Sequence, residues 1–162
     1  MDLSHAICSQ FLAALEMLRN AITACPETLW DRPADQNRFW HVAYHTLFYA
    51  HLYLQKARES FRPWAKHRQG HERFDRPPTD PGYEPYSKAD LLEYLEFCWQ
   101  EVRDRTAQLD PEAPSGFHWL PFSKLETHLY NIRHVQQHTG ELMERLGQAG
   151  IEVKDWVAKQ EC

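Results

Sequence analysis

The sequence predicts an all-α protein built as a four-helix bundle, on three observations. Four segments repeat apolar residues at three- and four-residue spacing, none alternates with the period of a strand, and the breaks between them are rich in proline. Each amphipathic stripe needs a partner face, and four such helices in 162 residues cover one another best as a bundle.

In the first helix Ile7, Phe11, Ala14, Leu15, Leu18 and Ile22 form the stripe, and Pro26 should stop it. The turn "CPETLWDRPADQN" leads to a second helix over 36–60. There Phe39, Trp40, Tyr44, Leu47, Phe48, Leu52 and Leu54 leave few polar faces, which predicts the most buried helix. Residues 61–86 hold five of the ten prolines and no stripe, so they read as a long irregular connection, of the kind that usually covers a site.

The third helix opens at Ser87, where "SKAD" offers a serine cap and an acid three residues on. Its inner face is marked by Leu91, Leu95, Cys98, Val102 and Leu109. After the link "DPEAPSGFHWLP", Ser123 and Glu126 form a capping box that starts the fourth helix, with Leu125, Leu129, Ile132, Thr139, Met143 and Leu146 as its stripe. Gly147 and Gly150 close it, and "EVKDWVAKQ" is expected to add one short turn that packs Trp156 onto the bundle.

Residues 1–162 read as a single domain, large enough to bury a core without staples. A net charge of −5 gives no global attraction for nucleic acid or for an anionic membrane, so neither is expected as a partner. The opening twenty residues carry Asp2, His5, Glu16 and Arg19 and do not read as a secretion signal, which makes the cytoplasm the expected compartment. Cys8, Cys25, Cys98 and Cys162 are scattered without framework spacing, and are expected to be reduced core fillers.

Chemistry concentrates in the histidines. His134 and His138 stand four residues apart, so one helix face can present both to one ion. His138 shares its face with Asn131, Val135 and Leu142 and should look inward, where an unpaired ring is costly. His45 lies in the most apolar helix, between Tyr44 and Leu47, and a shared metal would satisfy all three rings. Three imidazoles leave coordination positions open, which suits zinc, nickel, iron or copper and permits chemistry at the ion. His41, one turn before His45, is the rival first ligand or a supporting group. His51 is rotated by roughly 120° from that face and His128 points away from His134, so both read as structural. Glu141 and Glu144 read as solvated helix charges that can also orient a ligand imidazole. No paired Glu-x-x-His of a di-iron bundle occurs, and no nucleophile elbow supports a Ser-His-Asp triad.

In the order and spacing of "VAYHTLFYAHLYL", the long second connection and "HVQQHTGEL", with Gly140 two residues after His138, the chain resembles the DinB/YfiT-like family of metal enzymes. The resemblance covers nearly the whole chain. It implies an up-down-down-up-type bundle, commonly dimeric, with a metal triad at His45, His134 and His138. Zinc or nickel is implied ahead of iron or manganese. Relatives include thiol-dependent transferases and isomerases, which points to an S-transferase or a hydrolase that uses a small-molecule substrate, such as a low-molecular-weight thiol. The contrasting expectation is a non-catalytic helical module with a structural metal.

Two further expectations concern partners. Arg62, Lys66, His67, Arg68, His71, Arg73 and Arg76 make the long connection basic, a solvated run or a binding site for an anionic cosubstrate, while Trp64, Phe74, Tyr83 and Tyr86 suit a lid that packs down. Tyr49, His51 and Tyr53 lie on faces that one core leaves over, which favours a homodimer.

Overall fold

The computed structural model describes residues 2–75, 83–153 and 156–162. Helix α1 (Leu3–Ala24) starts where the Asp2 carboxylate accepts the His5 N–H at 3.1 Å, and ends at extended Cys25, before Pro26. One turn, α2 (Glu27–Trp30), sits inside the first link, and the indole N–H of Trp30 donates to the Tyr86 carbonyl at 2.8 Å.

Helix α3 spans Phe39–Leu54 and is indeed the most completely buried. It is shorter than its apolar pattern suggests. Gln55 turns extended, and Arg58–Ser60 forms a separate 3₁₀ turn. The ammonium of Lys124 takes over at that end, donating to the carbonyls of Gln55 (2.8 Å) and Lys56 (3.3 Å) that a longer helix would have used internally.

Helix α4 (Lys88–Thr106) is capped by Ser87, whose Oγ accepts the Asp90 N–H at 3.1 Å and donates to the Asp90 carboxylate at 2.7 Å. Leu91, Leu95, Cys98 and Val102 are buried as expected, but the helix stops before Leu109. Helix α5 (Lys124–Gln148) opens on the Ser123/Glu126 capping box, and Gly150, at φ 73°, closes it, with the Ile151 N–H returning to the Leu146 carbonyl.

The inner face of α5 differs from its apolar stripe. Leu129 is 47% exposed, whereas Thr127, Asn131, Val135, His138 and Leu142 are buried. On that face Asn131 finds its partner on α3, where its amide donates to the Ala50 carbonyl at 2.9 Å, while Thr127 and His138 bond Ser123 and Glu141 of their own segment.

Hydrogen bonds and ring contacts at the helix ends fix the directions. Lys124, at the start of α5, meets Gln55 beyond the end of α3, and Arg145, near the end of α5, donates to the Asn37 carbonyl before α3 begins (2.7 Å), so the two run antiparallel. Tyr86, ahead of α4, packs on Trp40 at the start of α3, and Gln55 donates to Glu101 late in α4 (2.8 Å), so those two run parallel. Lys88 pairs with Glu27 and Arg19 with Glu96, so α1 runs against α4. The bundle is therefore up-down-down-up, with α1 and α3 each packed on both α4 and α5. Among the described residues no strand forms, and no helix is long and apolar enough to cross a membrane.

The tail departs from expectation. Residues 156–162 have no regular structure, and Trp156 is 70% exposed rather than packed. Cys8 and Cys162 form a disulfide, with Cα atoms 6.1 Å apart, while Cys25 and Cys98 are free and buried as expected. The tail runs back along α1 and α4, where Gln10 donates to the Ala158 carbonyl (3.0 Å) and Arg103 to that of Glu161 (3.2 Å). A contact across 154 residues of sequence is invisible to local spacing.

Burial keeps several core histidines neutral. His41, His51 and His128 are each pushed down to about 4, above all by burial. A folded-state pKa below the unfolded value near 6.5 gives stability that is complete above that value and is lost as pH falls toward 4. Each such ring costs about 1.4 kcal/mol per pH unit inside that window. Thermal denaturation of metal-free protein should show a melting temperature that falls steeply from about pH 7 to about pH 5. A flat profile would contradict the burial of these rings.

Candidate metal centre

His45 lies in the middle of α3, and His134 and His138 occupy successive turns of the facing α5. Antiparallel packing brings the three rings to centroid separations of 4.7–5.3 Å. One ring nitrogen from each falls within 4.8 Å of the others. The helix register thus assembles the three residues that the sequence singled out.

Hydrogen bonds set which nitrogen faces inward. His45 Nδ1 is 2.7 Å from the Glu72 carbonyl, which only accepts, so Nδ1 carries the proton and Nε2 keeps its lone pair. His138 Nδ1 is 3.0 Å from the Glu141 carboxylate, leaving its Nε2 free for the cluster. His134 Nε2 stands 3.3 Å from His45 Nε2, and His134 Nδ1 is buried without a partner among the described residues.

Electrostatics agree with this arrangement. Burial, reinforced by the neighbouring histidines, pushes His45 down to about 3, and burial with His138 pushes His134 down to about 4. Both are neutral at pH 7. Three imidazole nitrogens converging on one point, two of them from rings anchored through Nδ1, form a donor set for a borderline divalent cation, so these residues fit a metal. Three histidine side chains are positioned to hold a metal ion.

The long connection supplies one wall. Phe74 stacks on His45 with centroids 4.0 Å apart, and Trp64, Tyr83 and Tyr86 are buried, so the connection packs down as a lid. His41 does not join the cluster. Its Nε2 lies 2.9 Å from the Arg73 carbonyl and 2.8 Å from the Tyr83 hydroxyl, which ties the same lid to α3. The lid's cations are engaged: Lys66 pairs with Asp90 and Glu93, Arg73 pairs with Asp75, and Arg68 donates to the Glu84 carbonyl and covers the Tyr86 ring. Arg62 donates to backbone carbonyls, His67 bonds the Tyr44 hydroxyl, and His71 stacks on Tyr83. Arg76 lies outside the described residues.

On the other side the cluster nears the surface at His134. A cleft of about 410 Å³ on α5 touches His134, alone of the three, between Tyr130, Arg133, Gln136 and Gln137. Tyr49 packs on the cluster, with its ring 4.7 Å from His45 and 5.8 Å from His134. Arg133 is exposed. Sequence reading missed it because a single arginine beside a histidine on a helix carries no pattern, and missed Glu72 because the contributing atom is backbone.

An antiparallel pair of helices that presents three convergent imidazoles, walled by a lid on one side, defines a helical bundle with a candidate metal site. The chain belongs to the DinB superfamily, whose family model matches residues 10–142. Comparison with curated proteins and with solved structures finds no match.

Metal titration should give one divalent ion per chain and none in the His45→Ala, His134→Ala, His138→Ala triple variant. Because burial keeps His45 and His134 neutral, protons should compete for those two ligands only as pH falls toward about 4. Glu141→Gln should weaken binding by about ten- to a hundredfold.

Proposed function

We propose that the protein is a divalent-metal-dependent enzyme of the thiol-dependent S-transferase or hydrolase type, with His45, His134 and His138 as the metal ligands. The observation that carries this reading is the cleft at His134, because a purely structural site has no use for an approach from solvent. A divalent ion held by three imidazoles supplies Lewis acidity and favours the deprotonated form of a thiol or water that shares it. Zinc or nickel fits three imidazole nitrogens better than iron or manganese.

The chain's own residues then have separate tasks. Glu141 and the Glu72 carbonyl hold two rings in the tautomer that points Nε2 inward. Phe74 keeps water from the lid side of His45. Arg133 lies in the cleft beside His134 and pairs with a carboxylate of a low-molecular-weight thiol or its cosubstrate, a task for which Arg68 and Arg73 are less suited because both are engaged. His51 and Tyr53, expected at a dimer face, are buried within the single chain, and the exposed aromatic side chains of Trp119 and Tyr130 instead give two copies an apolar face to share, which supports a homodimer acting away from membrane and nucleic acid.

Titrating Co²⁺-substituted protein with low-molecular-weight thiols should perturb its visible spectrum. Arg133→Ala should weaken an anionic thiol about tenfold with the metal retained, and Arg73→Ala should leave that affinity within about twofold. A spectrum indifferent to every thiol at millimolar concentration would favour a non-catalytic module with a structural metal.

A further inference from the structure

A second cavity lies apart from the metal centre, where the C-terminal ends of α3 and α4 meet the start of α5. Its volume is about 450 Å³, the size of a small-molecule site rather than a packing void, which seldom exceeds the roughly 30 Å³ of one water. Leu54 and Leu109 give it apolar walls, and His128 and Lys124 line it as buried residues. His128 precedes His134 by six residues, so it stands roughly 9 Å further along the helix and on another face.

Three features go beyond what packing requires. His128 is 1% exposed, and its Nδ1 has no partner among the described residues, a cost that a bound ligand can remove. Arg105 bonds Glu101 through Nε alone (3.1 Å), so its two terminal nitrogens have no partner among the described residues. The lining carries three cations, Lys56, Arg105 and Lys124, against the single carboxylate of Asp110, in a chain whose net charge is −5. Glu101 offsets part of that excess from behind Arg105.

The walls are fixed in advance. The Lys124 ammonium donates to the carbonyls of Gln55, Lys56 and Ser115, which clamps the 113–116 loop onto the end of α3. Gly116, at φ 82°, lies so close that a Cβ would stand 2.0 Å from the Lys56 oxygen. Lys124 has no N–H left to give, so it contributes charge and rigidity while Arg105 offers the free fork.

We propose that this cavity binds a small organic anion, its carboxylate shared between the Arg105 guanidinium and His128 Nδ1 and its apolar body lodged between Leu54 and Leu109. The site is separate from the cluster of His45, His134 and His138.

The test is a titration of the full-length, zinc-loaded protein, labelled with ¹³C in its histidine rings, with benzoate and with neutral benzamide. The His128 resonance, assigned with His128→Gln, should shift saturably with benzoate, and benzamide should bind about tenfold more weakly. Arg105→Gln should remove that preference, and Ala113→Leu, which fills the cavity, should abolish the shift while the circular dichroism spectrum stays native. Absence of a saturable His128 shift at millimolar benzoate would overturn the proposal. So would equal binding of benzamide, or shifts confined to His45, His134 and His138, since those place the anion on the metal.

Discussion

The register between α3 and α5 is the constraint on which the rest depends. It is pinned at three heights: Lys124 on the Gln55 carbonyl at one end, Asn131 on Ala50 near the middle, and Arg145 on Asn37 at the other. Each is a directional bond between a side chain of α5 and backbone at or beside α3, and apolar packing alone would tolerate a slide between ridges. A slip of one turn moves a helix about 5.4 Å, enough to carry one of the two histidines on α5 out of reach of His45 and break the three-ring cluster. Leaving the buried Lys124 or Asn131 unpaired costs about 1–3 kcal/mol, so at those two heights the register is held by penalty as much as by attraction.

That constraint explains why α5 turns a polar face inward. Thr127, His128, Asn131, His138 and Thr139 are buried on a helix whose Leu129 is left to solvent. A leucine stripe would have given a more apolar core but no anchors for register and no ligands. The lid follows from the same requirement. Once His45 is buried its Nδ1–H needs an acceptor, and the Glu72 carbonyl provides it, while His41 holds the adjacent Arg73 carbonyl. Two histidines a turn apart therefore do different work, one turned to α5 and the other tying down the loop.

Much of this was legible in the sequence, and what was hidden had physical reasons. Periodicity identified four helices because each stripe repeats over several turns, and the Ser87 and Ser123 caps are local. The His134/His138 pair was visible because one helix fixes its geometry. The choice of His45 over His41 came from the family resemblance and not from periodicity, since both share a face of α3 and the lid engages them differently. The end of α3 at Leu54 depends on Lys124, some seventy residues away, and the Cys8–Cys162 disulfide depends on the return path of the tail. Leu129 misled because hydrophobicity was weighed without knowing which polar partners α3 would offer.

The account's central claim is that this register brings His45, His134 and His138 to one ion. X-ray absorption at the metal edge of zinc- or nickel-loaded protein tests it most directly, because the outer-shell scattering of imidazole rings can be counted. Three imidazole nitrogens at about 2.0–2.1 Å, with the remaining positions filled by light atoms or by sulfur of an added thiol, is the predicted result. A shell with one imidazole or none, or one unchanged in His45→Ala, would contradict the claim.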